Sequence, residues 1–358
     1  MPNIGATIEN KERRFLMGEK TNIQWTDATI SPWDGCTKVG PGCDHCYAEV
    51  IADKRFHIVK WGVGQPRKKR ETFAGNAMKL ERKAVREARQ LKVFISMCDP
   101  FDNEVPDEWR ADLFALIRAT PNLTWQLLTK RIGNAKKMID RVISTLDIGH
   151  DPAFAAWPWP NVWIGATVVN QEEADRDVPK LLDVPAAKRF VSIEPMLGPI
   201  DLKRITTKTL YPSLEAIFVR ERNALYSGDN DGLDWVICGG ESGKDARPMH
   251  PDWARSLRDQ CVNAGVPYFF KQWGEYVPAA WFDGPDSLGD DEECCFDPEK
   301  EPHAFIANDG RQWDTNGGRY MYPPLPLGHW CLMRRVGTKA AGNLLDGKAW
   351  QQFPDSVA

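Results

Sequence analysis

Short apolar runs alternate with amphipathic stretches along most of the chain. The runs at 92–98, 123–129 and 162–167 are rich in β-branched and aromatic residues, a composition typical of strands buried on both faces. The stretches at 107–119 and 132–143 repeat apolar residues at helical spacing. Strands that alternate with helices predict right-handed βαβ units and a parallel sheet.

The alternation continues towards the carboxyl end, with further strands predicted at 189–194, 234–240 and 266–271. A strand just before Cys36 brings the number of predicted parallel strands to seven. No glycine-rich nucleotide-binding motif follows any of these strands, which removes the usual reason for a flat, doubly wound sheet. We therefore expect an α/β fold whose parallel βα repeats form a partial or full TIM-like barrel.

The repeats also suggest how the chain is divided. We expect a polar leader over 1–20 and a barrel-like core over 21–273 that contains the cysteine loop near its start. A polar insertion over 203–232 interrupts the core. Residues 274–358 are rich in Pro, Gly, Asp and Trp, and we expect an irregular extension packed on the core.

Composition narrows the class of protein. The 358 residues are 42% hydrophobic, enough for a sizeable core, and the formal net charge of −4 gives no overall positive field for nucleic acid. No run approaches eighteen apolar residues, so we expect no membrane association. Nine cysteines without a signal peptide predict a cytoplasmic protein whose thiols stay reduced.

Three of these cysteines lie within eleven residues. Cys36, Cys43 and Cys46 have the spacing C-x6-C-x2-C, and the Gly-Pro-Gly turn at 40–42 lets the chain double back so that their thiolates converge. A helix is predicted directly after Cys46. A metal or cluster held by only three protein ligands keeps an open position, which is typical of sites that carry out chemistry.

Two other interpretations of the loop are open. The first is a closed zinc site in a non-catalytic, nucleic-acid-associated module on a βα scaffold, with His45, Cys98 or Cys238 as the fourth ligand. The second is a cluster used only for electron transfer or sensing, in which Cys98 or another residue completes the ligand set.

Polar residues follow several predicted strands, where parallel βα folds gather their chemistry. Among them Asp99, Lys130 and Glu194 are candidates to contact a polar ligand. The basic run at 67–70, the Lys- and Arg-rich segment 76–90 and fifteen tryptophans favour a nucleotide or nucleic-acid base as substrate.

Several motifs together resemble one protein family, and they extend from residue 21 to residue 353. The family is a phage-associated three-cysteine family of radical S-adenosylmethionine (SAM) type. The motifs are Thr21-Asn-Ile-Gln-Trp-Thr-Asp, the cysteine loop, Ser192-Ile-Glu-Pro-Met-Leu-Gly-Pro-Ile, Gly239-Gly-Glu-Ser-Gly, Phe270-Lys-Gln-Trp-Gly and Ala341-Gly-Asn-Leu-Leu-Asp-Gly.

The resemblance implies a radical SAM-like core and an enzyme that abstracts hydrogen from its substrate. The three cysteines would hold a [4Fe–4S] cluster whose open iron binds SAM, although the first gap is longer than the commoner C-x3-C-x2-C. Tyr47 would contact SAM beside the third cysteine. The implied partners are an electron donor such as flavodoxin or ferredoxin and a phage- or neighbour-encoded protein. The single Gly-Gly-Glu, at 239–241, comes too late in the chain for the superfamily's amino-group motif.

Overall fold

A computed structural model describes residues 21–146, 154–211, 216–226, 232–283, 303–314 and 329–354. The predicted leader over 1–20 lies outside the described residues. The strands are β1 (Ala28–Ile30), β2 (Trp33–Asp34), β3 (Lys68–Lys69), β4 (Leu91–Ile95), β5 (Leu123–Thr129), β6 (Val162–Thr167), β7 (Lys188–Ile193), β8 (Ile205–Tyr211), β9 (Ala216–Arg222), β10 (Trp235–Gly239), β11 (Tyr268–Gln272), β12 (Tyr276–Asp283), β13 (His303–Ala307), β14 (Gln312–Asp314), β15 (His329–Arg335), β16 (Leu344–Leu345) and β17 (Lys348–Ala349).

The helices separate most of the strands of the first part of the chain. They are α1 (Tyr47–Glu49), which continues as a π-helical segment over Val50–Arg55, α2 (Phe73–Glu87), α3 (Asp107–Arg118), α4 (Ile132–Thr145), α5 (Gln171–Leu182), α6 (Pro251–Ala264) and α7 (Thr338–Ala341). No helix in these described ranges is both long and apolar enough to span a bilayer.

Seven strands form one parallel sheet, in the order β1-β4-β5-β6-β7-β10-β11. Each new strand adds on the same side of its predecessor, and right-handed crossovers then place the connecting helices on one face. This singly wound order is that of βα barrels and not of doubly wound sheets. Among the described residues no pairing joins β1 to β11, so the sheet is open, which is consistent with a partial TIM-like barrel.

The apolar runs explain these strands. Every residue of β6 and of β10 is buried, as expected for a parallel sheet that is covered on both faces. The predicted bounds of β5 and β6 are confirmed, and α5 begins with the predicted cap, because the Asn170 side chain accepts a hydrogen bond from the Glu173 N–H at 2.9 Å.

The chain divides into two compact units. The first contains the described residues up to Thr167 together with Asp177–Val191, and the second contains Val168–Arg176 together with the described residues from Ser192 onward. Within the first unit lie β1 to β6 and α1 to α4. The second contains β8 to β17, α6 and α7.

Two regions differ from the sequence-based expectation. The polar insertion contains an antiparallel hairpin of β8 and β9. The extension is not irregular throughout, because β12, β15, β13 and β14 form a four-stranded antiparallel sheet in that order. Pro278 obscured β12 in the sequence, since proline argues against a strand interior, and it lies where the pairing with β15 shifts register.

The chain's last described segment covers one edge of β11. The Phe270 N–H donates to the Trp350 carbonyl at 2.7 Å and the Gln352 N–H to the Tyr268 carbonyl at 3.2 Å, with Phe269 and Gln351 forming an antiparallel bridge. Residues 350–352 thus supply pairing partners that an edge strand otherwise lacks.

Candidate functional site

The cysteine loop follows β1 and β2 and ends in α1. A single 3-10 turn, Pro41–Cys43, forms inside it, and the Cys43 N–H donates to the Gly40 carbonyl at 2.9 Å. Proline suits the first position of such a turn because its φ is already helical and it has no N–H to satisfy. Cys46 is the N-cap residue of α1, with extended backbone, so the loop delivers its third cysteine at a helix start, as predicted.

The three thiols differ in exposure. Cys43 is buried, whereas Cys36 and Cys46 are half-buried. Three sulfurs on one loop are the right donors for zinc or an iron–sulfur cluster. In the part of the chain that the structure describes, no three His, Cys, Asp or Glu side chains are grouped so that they could hold a metal ion. The donor set fits such a group by its chemistry, and the loop has to bring its sulfurs closer together to bind one.

Arg131 connects the loop to the ends of β4 and β5. Its Nη1 lies 3.3 Å from Cys36 Sγ and 3.1 Å from Asp99 Oδ2, and its Nη2 donates to the Thr37 carbonyl. The side chains of Arg131 and Asp99 are each only 7% exposed. A buried guanidinium therefore bridges a carboxylate and one of the three candidate metal-binding sulfurs.

Asp99, the carboxylate partner of Arg131, is itself held by hydrogen bonds from neighbouring residues. Its Oδ1 accepts hydrogen bonds from Thr129 Oγ1 at 2.7 Å and from the Phe101 N–H at 2.9 Å, and its Oδ2 accepts one from the Lys130 N–H at 3.0 Å. Both predicted residues thus take part in this group of hydrogen-bonded residues, but Lys130 does so through its backbone N–H. The cationic side chain that contacts Asp99 is that of Arg131.

Strand alternation does not extend to Arg131, because β5 ends at Thr129 and Arg131 is already the N-cap residue of α4. The signal that the sequence offers is only its place just after the end of a predicted strand. Thr129 is itself buried and hydrogen-bonded to Asp99.

Burial and charge set the protonation of this cluster. Burial raises the pKa of the Cys36 thiol to about 12, Asp99 contributes in the same direction, and Arg131 acts against both. Burial alone lowers the pKa of the Arg131 guanidinium, but Asp99 and the Cys36 sulfur outweigh it and raise that pKa. Cys36 thus carries its proton when no metal is bound, and a metal has to displace it.

Tyr47 lies directly after the third cysteine. The residue is 50% exposed, and its hydroxyl donates to the Ser96 carbonyl, which follows β4, at 2.8 Å. The hydroxyl is therefore anchored to the segment that follows β4.

The candidate fourth ligands lie in different surroundings. Gly35, which precedes Cys36, forms a parallel bridge with Cys98, and burial raises the pKa of the Cys98 thiol well above its usual value. Cys238 belongs to β10 in the second unit, is fully buried, and has its sulfur 3.6 Å from Met196 Sδ. His45 lies inside the loop and is half-buried. Within the first unit, His45 lies in the loop itself and Cys98 is bridged to the residue before Cys36.

The two arginines of the basic run at 67–70 are engaged internally, whereas its two lysines are exposed. Arg67 is buried, with Nε 2.8 Å from Asp102 Oδ2 and Nη2 2.7 Å from Thr37 Oγ1. Arg70 forms a two-pronged ion pair with Asp34. These guanidiniums hold the cysteine loop in place, which weakens the argument from this run for a nucleic-acid substrate.

Many of the tryptophans are structural too. Five are fully buried and pack in the core; they are Trp25, Trp33, Trp125, Trp159 and Trp235. Their number therefore gives little support to a stacking surface for bases.

The second unit has its own charged cluster at strand ends. Lys271 Nζ, at the end of β11, lies 2.9 Å from Oε1 of Glu194, and Ser192 Oγ donates to Glu194 Oε2 at 3.1 Å. Gly239 packs against Glu194, and only a residue without a Cβ leaves room, because a Cβ built there would lie 2.9 Å from Glu194 Oε1. Glu194, a predicted ligand contact, is thus already held by an amine and a hydroxyl.

The Gly-Gly-Glu at 239–241 has a structural explanation. A Cβ on Gly240 would lie 1.9 Å from the Trp273 carbonyl oxygen, so only glycine fits there. Glu241 accepts from Arg247 Nε at 2.8 Å and from Nη2 at 2.7 Å, and its Oε2 also accepts the Arg247 N–H. The Glu241 carboxylate therefore holds the loop from residue 241 to residue 247 together.

Comparison with known proteins places this chain in a family. No curated protein and no solved structure matches it. Residues 20–354 match the family described as "Protein of unknown function (DUF5131)", which covers nearly all of the 358 residues. The chain therefore belongs to the DUF5131 family.

Proposed function

We propose that this protein is a radical SAM enzyme in which Cys36, Cys43 and Cys46 hold a [4Fe–4S] cluster. The observation that carries the proposal is the contact of Arg131 with Cys36 Sγ at 3.3 Å and with Asp99 at 3.1 Å. It joins a three-thiol loop to buried charges at the carboxyl ends of parallel strands, where βα folds do their chemistry. Three thiols leave a cluster one open position.

When bound, the cluster and SAM would supply the radical chemistry that removes a hydrogen atom from the substrate. The chain's own residues have to bind and orient these groups. Arg131 places a fixed positive charge beside Cys36, which favours the thiolate that a metal requires. Asp99 holds Arg131 in that position through its four hydrogen bonds.

SAM carries a carboxylate, an amino group, a ribose and an adenine, and the predicted contacts match these groups in kind. Tyr47, which is half-exposed, is the predicted contact for the adenine. Lys130 and Glu194 remain predicted contacts for the charged groups of SAM or of the substrate. The substrate class stays the sequence-based prediction, a nucleotide or nucleic-acid base, although the internal arginines of the basic run and the buried tryptophans do not support it.

The decisive experiment is anaerobic reconstitution of the full chain with iron and sulfide, followed by reduction and addition of SAM. We expect a brown protein that forms 5′-deoxyadenosine, detected by chromatography. Cys43→Ala should lose both the cluster and the product. Cys261→Ala, which removes a buried thiol of α6 outside the loop, should keep both. A colourless, zinc-loaded protein that leaves SAM intact would overturn the proposal.

The same preparation distinguishes a cluster held by three cysteines from a site that a fourth protein ligand completes. With three ligands, Cys98→Ala and His45→Ala should keep the iron and sulfide content of the wild type. Loss of the cluster or of bound zinc in either variant would identify the fourth ligand of a site without an open position.

A further inference from the structure

A cavity of about 380 Å³ lies between α4 and the loop that leads into α3, within the first unit. Residues between 103 and 107 line one wall, and residues between 133 and 141 line the other. The volume falls in the range of small-molecule sites. The loop follows β4, and βα folds bind their ligands at such strand ends. No residue of the cysteine loop lines this cavity, so the proposed cluster site does not account for it.

The α4 wall of the cavity carries two cations on one side of the helix. Lys137 and Arg141 are one turn apart, and both are exposed. Like charges at this spacing destabilise a helix slightly. Among the described residues no carboxylate pairs with the Lys137 amine, whereas the neighbouring Lys136 lies 2.9 Å from Asp140. The fold thus keeps an unpaired cation at the cavity, at a small cost to the helix.

The acidic residue in the cavity wall is already neutralised. Asp107 Oδ1 accepts a hydrogen bond from Arg110 Nη1 at 2.7 Å, and Asp107 Oδ2 accepts one from Arg141 Nη1. The Arg110 side chain is fully buried, so its charge cannot be solvated by water instead. Together with Lys137, three cations surround one carboxylate, which leaves a formal charge of +2. An excess of this size favours a ligand with two negative charges.

The other end of the cavity is polar and uncharged. Asn134 Nδ2 donates to Asn103 Oδ1 at 2.9 Å and to the Phe101 carbonyl at 3.0 Å. Within the described ranges these bonds leave the Asn103 Nδ2 as a donor and the Asn134 Oδ1 as an acceptor. A hydroxyl group both donates and accepts, so it can pair with either amide.

The two ends are two turns of α4 apart, about 10 Å at the rise of an α-helix. Val105 and Met138 lie between them and supply the apolar part of the lining. None of the described residues that line the cavity is aromatic. The lining therefore suits a molecule with one strongly anionic end and a non-aromatic body that carries hydroxyl groups.

We propose that this cavity binds a hexose phosphate. Lys137 and Arg141 receive the phosphate, and Asn103 and Asn134 receive the hydroxyls of the sugar. A phosphate monoester carries close to two negative charges at neutral pH, which matches the charge of the cavity. A nucleotide matches it less well, because the lining offers no aromatic side chain on which a base could stack. The inference is independent of the proposed function, since it involves neither the cysteines nor iron.

The test measures binding of glucose 6-phosphate and fructose 6-phosphate to the full, iron-free chain by calorimetry at low salt. We expect Lys137→Met to weaken binding about tenfold, because it removes a charge-assisted hydrogen bond. The matched control Lys136→Met removes the neighbouring lysine, which does not line the cavity, and should bind like the wild type. Asn103→Ala should weaken binding of the hexose phosphates without changing that of inorganic phosphate. Glucose, which lacks the phosphate, should not bind.

Four results would overturn the proposal. They are no binding of either hexose phosphate at millimolar concentration, equal weakening by Lys136→Met and Lys137→Met, displacement of the hexose phosphate by a single-stranded DNA oligonucleotide, and inorganic phosphate binding as tight as that of the esters. The last would assign the cavity to an anion alone. Thermal unfolding midpoints close to that of the wild type show that the variants are folded.

Discussion

Each unit of this protein has an ion pair at the carboxyl ends of its strands, and the two pairs are built differently. In the first unit Arg131 lies between Asp99 and the Cys36 sulfur, with both charged side chains 7% exposed. In the second, Lys271 meets Glu194 at 2.9 Å, with side-chain exposures of 23% and 13%. Glu194 is held there by the Lys271 amine and the Ser192 hydroxyl.

The difference separates a pair that is shielded from water and contacts a cysteine from a pair that water can partly reach. A planar guanidinium can hold a carboxylate and a sulfur at once in fixed geometry, whereas a lysine ammonium is a point charge on a flexible stem. The first pair is rigid and shielded from water. The second is partly hydrated, and its lysine is held less rigidly. Variants of the two pairs should therefore differ in cost.

The largest effect should come from Asp99→Ala. It leaves the buried Arg131 charge without its carboxylate and removes the acceptor of four hydrogen bonds, so we expect a loss of about 3–5 kcal/mol in the free energy of unfolding. Urea denaturation measures it. Asp99→Asn keeps the shape and part of the hydrogen bonding, so it should cost less; equal losses would contradict a role for the charge.

Glu241→Ala should come next. Arg247 loses a two-pronged partner, but its side chain is 24% exposed and water can solvate it, so we expect about 1–3 kcal/mol. The same urea titration applies. Glu241→Gln, which keeps one acceptor, is the control. If Glu241→Ala cost as much stability as Asp99→Ala, the difference in burial between the two ion pairs would not explain their contributions.

Lys271→Met should cost less, about 1 kcal/mol, because the pair is partly hydrated and the methionine keeps the apolar stem. If the pair serves a ligand, this variant should lose affinity for SAM or substrate while it keeps its stability. A loss of stability without any change in ligand affinity would assign the pair to the fold alone.

The smallest effect is pH-dependent and involves Glu275. Burial raises the pKa of its carboxyl, but hydrogen bonds from Thr338 and the Gly243 N–H outweigh burial, and the net pKa is lowered from 4.5. A lowered folded pKa gives stability that is present above pH 4.5 and lost as pH falls through the folded value. The stability difference between the wild type and Glu275→Gln should therefore shrink as the pH falls below 4.5. A constant difference in urea titrations from pH 6 to pH 3.5 would contradict it.

The sequence predicted the sheet because burial on both faces leaves a continuous apolar run. The run Val162-Trp-Ile-Gly-Ala-Thr is such a strand, and all of it is buried. The strands of the extension lack that signal, since β12 carries a proline at a register shift. Antiparallel pairing of this kind depends on partners far away in the chain.

The candidate site was only partly predictable. Spacing identified the three cysteines, because a turn and a C-x2-C interval are local features. Arg67 and Arg70 looked like a surface run because their partners, Asp102 and Asp34, lie more than thirty residues away in the chain. No local pattern shows that a cation has a distant carboxylate and is therefore internal.

The pairing of residues 350–352 with β11 also affects the order of assembly during synthesis. Chains emerge from the ribosome amino end first, so β11 is made well before the segment that covers it. Until that segment arrives, the backbone groups that Phe270 and Tyr268 present on that side have no strand beside them. The newly made chain thus passes through a period in which another copy could pair there, and this period ends when residues 350–352 take up that edge.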